Sequence, residues 1–346
     1  MYAYILKRLL LMLPTLFGVI CITFCVIQFV PGGPVEQVIA EMQGKGARGG
    51  EAAASGGAYR GRQGVDPKQV EEIKKIYGFD KPAPERFWQM IGQFARFDLG
   101  RSFLHNKSVW ALIKEKLPVS MSLGLWTFFF VYLISIPLGI LKAVRAGSRF
   151  DTASTFIVLL GHAVPSFVLG VVLLVLFGGG SFVQWFPFRG LVSSNWEELS
   201  LLGRITDYLW HITLPVTAMV LGSFAVTTLL TKNSVLEEIH KQYVLTARAK
   251  GLGEGQVLWR HVFRNALIPI MTGFPAAFIG AFFTGSLLIE TLFSLDGLGL
   301  LSYESVIRRD YPVVLGSLFL FTLIGLFTTL IRDLAYLWVD PRVRFD

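Results

Sequence analysis

The stretch KQYVLTARAKGLGEGQVLWRHVFRNALIP (Lys241–Pro269) lies between the apolar segments Tyr208–Thr231 and Ala266–Ile289. It carries Lys241, Arg248, Lys250, Arg260 and Arg264, with Lys232 just upstream. Within Val235–Lys250, the residues Leu236, Ile239, Tyr243 and Ala247 recur at spacings of three and four, which predicts one helix with a single apolar stripe. Gly251 and Gly253 end that pattern, because glycine adopts positive φ at little cost. A second helical pattern starts near Gln256 and runs into the apolar segment at Ala266. The expectation is a short helix, a glycine elbow and a second helix at a membrane surface. A chain that passes force between a soluble motor and a membrane bundle needs such an element.

Working outward, the rest of the chain reads as membrane. It is 53% hydrophobic, too apolar for a soluble protein of 346 residues. Spans of roughly 20 residues or more are predicted at Leu9–Val30, Leu117–Leu141, Thr155–Phe177, Tyr208–Thr231, Ala266–Ile289 and Val313–Ile331, six in all. Pro31-Gly32-Gly33-Pro34 ends the first span at full length, so it reads as an uncleaved anchor. Cys21 and Cys25 sit one turn apart inside it and read as small packing residues. The third, fourth and fifth spans contain small and helix-breaking residues, among them Gly161, Pro165, Ser166, Gly170, Pro215, Gly222, Gly273, Pro275 and Gly280. His162 and His211, near span ends, read as satisfied interfacial histidines.

Orientation follows from basic residues in short loops. With the N-terminus inside, the internal segments hold 14 Lys and Arg: 2 before the first span, 3 in 142–151, 6 in 231–265 and 3 from 332. The short external loops, 178–207 and 290–312, hold 2 each. Both termini are therefore expected in the cytoplasm. The net charge of +8 is a topology signal and gives little support for nucleic-acid binding.

The expected organisation is a first span at 1–30, an external segment at 31–116, a five-helix core at 117–331 carrying the cytoplasmic loop 232–265, and a tail at 332–346. Gly44–Gly64 holds eight glycines and no Leu, Ile, Val or Phe, so it is expected to be a flexible spacer. Helices are expected from Asp66 to Gly78, with Asp66 as cap, Pro67 in the first turn and Gln69 at the capping-box position, then at about Pro84–Phe97 and Ser108–Lys116. Two roles suit this segment: a lid over a substrate, or packing that supports the bundle.

Several function classes find no residues here. The chain has no G-x-x-x-x-G-K-[ST] phosphate loop, no H-E-x-x-H, no Cys/His cluster at metal spacing and no G-x-S-x-G. Asp, Glu, Lys and Arg are missing from the predicted span interiors, where ion-driven carriers place their coupling groups. Glu290, Arg332 and Asp333 fall at span ends and read as snorkelling side chains. A passive channel or ion-coupled secondary transporter is the rival reading, and a membrane enzyme a third. Energy is expected from another subunit docked on the elbow.

These residues also carry a family resemblance. ARAKGLG (247–253) followed by RNALIP (264–269) resembles the cytoplasmic loop of the permease subunits of peptide-type ABC importers. Against the general pattern Glu-Ala-Ala-x3-Gly the chain has Leu245, Thr246 and Ala247, so only Ala247 and Gly251 match by letter. The longer distance to Pro269 and those departures are usual in the oligopeptide, dipeptide and nickel branch. LKRLLLMLPTLFGV (Leu6–Val19), DLGRS (Asp98–Ser102), RDYPVVLGSL (Arg309–Leu318) and VDPRVRF (Val339–Phe345) extend the likeness over nearly the whole chain. YGFDKPAPERFW (Tyr77–Trp88) and the glycine-rich insertion are most similar to Yej-type B permeases.

The resemblance implies an all-α, six-span permease of the type I importer fold that moves oligopeptides or peptide-like compounds across a bacterial inner membrane. It implies a second, C-type permease as heterodimeric partner, an ABC ATPase with two nucleotide-binding domains and a periplasmic solute-binding protein. No catalytic, metal or cofactor residue is expected in this chain, ATP and Mg²⁺ being bound by the partner ATPase. The coupling residues are expected to be Ile239, Tyr243, Ala247, Arg248, Lys250, Gly251 and Gly253. Tyr243, Ala247 and Gly251, four residues apart, are expected to share the face that an ATPase groove closes around.

Overall fold

The computed structural model describes residues 2–29, 71, 80–179, 182–283 and 285–339. The glycine-rich segment 44–64, the helix expected at Asp66–Gly78 and the tail beyond 339 lie outside these. The named elements are helices; among the described residues the one extended pairing is an isolated bridge between Arg101 and Ser108. In chain order they are α1 (Tyr2–Phe29), α2 (Ala83–Phe94), α3 (Val109–Val144), α4 (Arg149–Ala163), α5 (Ser166–Phe177), α6 (Leu201–Ile239) and α7 (Gln242–Ala249). A helical run through Glu254–Gln256, Val257–Val262 and Phe263–Ala266 follows, then α8 (Ile268–Phe283), α9 (Leu287–Leu292), α10 (Leu298–Ile307) and α11 (Tyr311–Val339).

Five of these helical stretches are long and apolar enough to cross a membrane, and six crossings result if the α4–α5 pair counts as one. The helix expected at Ser108 is continuous with the second span. α3 has 36 residues and α6 has 39, well beyond the roughly 20 a bilayer needs. Their ends therefore project out of the hydrocarbon layer.

The third span is not one helix. α4 and α5 meet at 96°. Val164 is extended (φ −89°, ψ 123°), as the residue before a proline tends to be, and Pro165 starts α5. The bend packs on α6, where a side chain at Gly222 would lie 3.2 Å from Ser166 Cβ. His162 Nδ1 contacts the Gly222 carbonyl oxygen at 3.1 Å.

The chain divides into two compact units. The first comprises Met1–Arg8, Lys116–Leu301 and Ile324–Asp346. Its core joins Leu123 and Val131 of α3, Val158 of α4, Ile212, Met219 and Phe224 of α6, and Ile289 of α9. α3 and α8 approach so closely that a Cβ on Gly124 would sit 1.8 Å from the Ala281 carbonyl oxygen. Only glycine permits that approach, as at small-residue helix contacts in lipid generally. Glu290 does not snorkel. It is buried, accepting the Leu300 and Ser286 backbone N–H groups at 2.7 and 3.2 Å, and so fastens the turn between α9 and α10. Asp333, partly buried, accepts the Tyr4 hydroxyl at 2.8 Å and pairs with Arg8 at 3.0 Å.

The second unit comprises Leu9–Glu115 and Ser302–Leu323, so most of α1 falls outside the first unit. Two motifs far apart in sequence meet in it. Asp310 of the RDYP stretch is buried; its carboxylate accepts the Ser102 hydroxyl of DLGRS and the Phe103 N–H, the latter at 3.0 Å. Ser102 Oγ in turn accepts the His105 N–H at 2.9 Å. Phe94 of α2 packs on Phe319, the rings tilted by 38° with centroids 4.9 Å apart, and Phe87 packs on Phe24 at 5.2 Å.

Candidate coupling surface

The elbow is built on the end of α6. The single helix expected over Val235–Lys250 is broken: α6 stops at Ile239, His240 caps it, and Lys241 is extended (φ −73°, ψ 149°) before α7 begins. Neither glycine nor proline marks that break. Lys241 pairs with Glu238, and this hydrogen bond raises the lysine's pKa.

α7 ends in a Schellman turn. The Leu252 N–H reaches the Ala247 carbonyl at 3.4 Å and the Gly251 N–H reaches that of Arg248 at 2.9 Å. Gly251 has φ +81° and open space around a would-be Cβ, so backbone conformation alone demands glycine there. Gly253 is different. It is extended (φ −63°, ψ 149°), equally uncrowded, and opens the next helical run. Arg248 forks onto Glu254 across the elbow at 2.9 and 3.1 Å.

The inner side of the elbow is a small core. Val244 and Ala247 of α7 pack with Ile140 and Ala143 of α3, Val235 of α6, and Val257, Val262 and Ala266 of the second arm. Ile239 and Tyr243 pack against the same cluster. The Tyr243 hydroxyl donates to Glu238 at 2.5 Å and accepts from Asn265 at 3.0 Å, tying both arms together. Burial raises its pKa.

Part of the face expected to meet an ATPase is turned inward. Ala247, at 5% exposure, faces its own chain, and Tyr243 is half-buried beside it. Val244 and Ala247 must fill the gap under the helix, which turns the opposite side outward. That side presents Gln242, Leu245, Thr246 and Ala249, at spacings of three and four, with Lys250 and Gly251 at its end. Leu245 is 48% exposed. The sequence carried this signal as a second stripe in register with the first, but an all-round reading of α7 does not say which stripe is buried. The second arm winds as a π-helix over Val257–Val262, a form frequent at functional sites, and exposes Trp259 and Arg260. Among the described residues no group of His, Cys, Asp or Glu is arranged to hold a metal ion.

Residues 135–345 match the family described as binding-protein-dependent transport system inner membrane component. The chain is 55% identical over 360 residues to the peptidoglycan transport system permease protein YejB of Agrobacterium fabrum, covering 100% of this chain and 99% of that one. It is 52% identical over 362 residues to the inner membrane ABC transporter permease protein YejB of Escherichia coli O157:H7, covering 100% of both. Identity to the di/tripeptide transport system permease protein DppB of Pseudomonas aeruginosa is 31%, over 99% of each chain. With its apolar helices and these relatives, the chain belongs to the family of binding-protein-dependent transport system inner membrane components and is a multi-pass inner-membrane permease subunit of an ABC importer.

Proposed function

We propose that this permease carries peptides or peptide-bearing cell-wall fragments inward, and that α7 and the π-helical arm receive the ATPase. The observation that carries the reading is the elbow itself: a short helix pinned on one side by its own core and bare on the other. A groove on an ATPase could close around Gln242, Leu245, Thr246 and Ala249, with Lys250 and Arg260 at the rim. Exposed charges there contribute about 0.2–1 kcal/mol each, so the apolar centre carries the contact. The original coupling residues keep distinct parts: Gly251, Gly253 and Arg248 shape the elbow, Ile239, Tyr243 and Ala247 support it, and Lys250 borders the face.

In this reading the chain performs no chemistry and holds no cofactor; ATP and Mg²⁺ belong to two nucleotide-binding domains below. A C-type permease completes the pathway, a periplasmic binding protein delivers cargo, and both termini lie in the cytoplasm. The cargo follows the relatives named for peptide and peptidoglycan transport. The test is uptake of a labelled peptide into vesicles containing the assembled importer and its binding protein. Uptake should require ATP and be competed by unlabelled peptides and by muropeptides, but not by peptide-free glycan. Uptake driven by an ion gradient without ATP would contradict the proposal.

A further inference from the structure

A cluster of charge is buried where three helices of the first unit meet. The Lys142 side chain, near the end of α3, has 0% exposure. Its ammonium donates to the Asp151 carbonyl oxygen at 3.0 Å, to Ser154 Oγ at 2.9 Å and to Thr155 Oγ1 at 2.6 Å, all on α4. It also stands 3.2 Å from Asp151 Oδ1. Lys232 of α6 reaches the same carboxylate, 2.7 and 2.8 Å from its two oxygens. The Gly147 N–H adds a further donor at 3.1 Å. Two ammoniums thus share one carboxylate, in a place where an unpaired charge is costly.

The lysines are not equivalent. Lys142 has a carbonyl and two hydroxyls besides the carboxylate, and no exposed side-chain surface. Lys232 is held, among the described residues, by the Asp151 carboxylate alone, and its side chain keeps 17% exposure. If Lys232 departs, it reaches water and Asp151 still has Lys142 as counter-ion. Were Lys142 to depart, its charge would have nowhere to go. One contact is fixed and the other can be released. The releasable one sits on the helix that carries the elbow, seven residues before Ile239 (232 to 239), or about 10 Å along the axis.

We infer that the Lys232–Asp151 pair is a latch between α6 and α4, closed at rest and released when force on α7 moves α6 against the bent helix pair. The latch makes Lys232 a positioning residue for coupling, and it rests on the coupling role proposed above. A plain brace would gain nothing from a second, deeper counter-ion that keeps Asp151 neutralised once Lys232 has gone.

The test compares assembled importers carrying K232Q or K232R, without binding protein or peptide, by ATP hydrolysis per complex. Because no cargo is added, an error in the cargo proposal leaves this result readable. K232Q should assemble, since Asp151 keeps Lys142, and its resting hydrolysis should rise about five-fold, the low end of typical coupling effects. K232R, which keeps the charge, should behave as the unaltered protein. An unchanged resting rate in K232Q overturns the latch. So does failure of K232Q to assemble where K232R assembles, because a releasable contact cannot be a requirement for folding.

Discussion

Single residues of this permease do work that their type alone does not disclose. Gly251 and Gly253 look alike in sequence, yet only Gly251 has positive φ. Gly251→Ala should cost about 1–2 kcal/mol of local stability, the penalty of placing Cβ in the left-handed region, and Gly251→Asn should cost less. Gly253→Ala should be mild. Thermal unfolding of the purified complex, with proteolysis at the elbow as a local probe, checks the ranking; equal losses at both positions would contradict it. Asp310 makes a comparable case in the second unit. Asp310→Ala removes the acceptor for the Ser102 hydroxyl and the Phe103 N–H, and should lower stability by about 1–3 kcal/mol. Its effect should appear as a lower melting temperature, with Asp310→Asn intermediate.

At the scale of elements, the sequence disclosed the spans because each is a long apolar run, and the elbow because two glycines end a helical pattern between two such runs. The break at His240–Lys241 was hidden, since its residues are compatible with a continuing helix and the break comes from Lys241 turning extended. The bend between α4 and α5 was half-hidden: Pro165 announced a kink, but not its 96° angle or its close approach to α6 at Gly222. The burial of Glu290 was not legible either, because the N–H groups that satisfy it come from Ser286, which caps α9, and from Leu300 in the first turn of α10, a meeting that no periodicity describes. Which side of α7 packs inward was hidden for a related reason. Small Ala247 suits a partner's groove and a tight internal gap equally well, and only the surrounding helices decide. Ala247→Glu should therefore act by burying a carboxylate inside the elbow, lowering the amount of assembled importer. Normal assembly with selective loss of stimulated hydrolysis in that variant would return Ala247 to the contact face.

For the whole molecule, the excess of basic residues on the internal side sets the expected orientation. With Cys21 and Cys25 replaced, a cysteine at exposed Ser194 should label from outside intact cells, and one at exposed Ala146, away from the α7 face, should label only after the membrane is opened. External labelling at Ala146 would reverse the topology and with it the docking of the ATPase. In the proposed function, the bare face of α7, centred on Leu245, is where ATP hydrolysis meets the permease. Leu245→Glu leaves the inner core of the elbow untouched and puts a charge at the centre of that face. The deciding measurement is ATP hydrolysis stimulated by cargo and binding protein in the reconstituted importer. The permease pair should still insert, while stimulation falls at least about ten-fold; stimulation equal to that of the unaltered protein would contradict the claim.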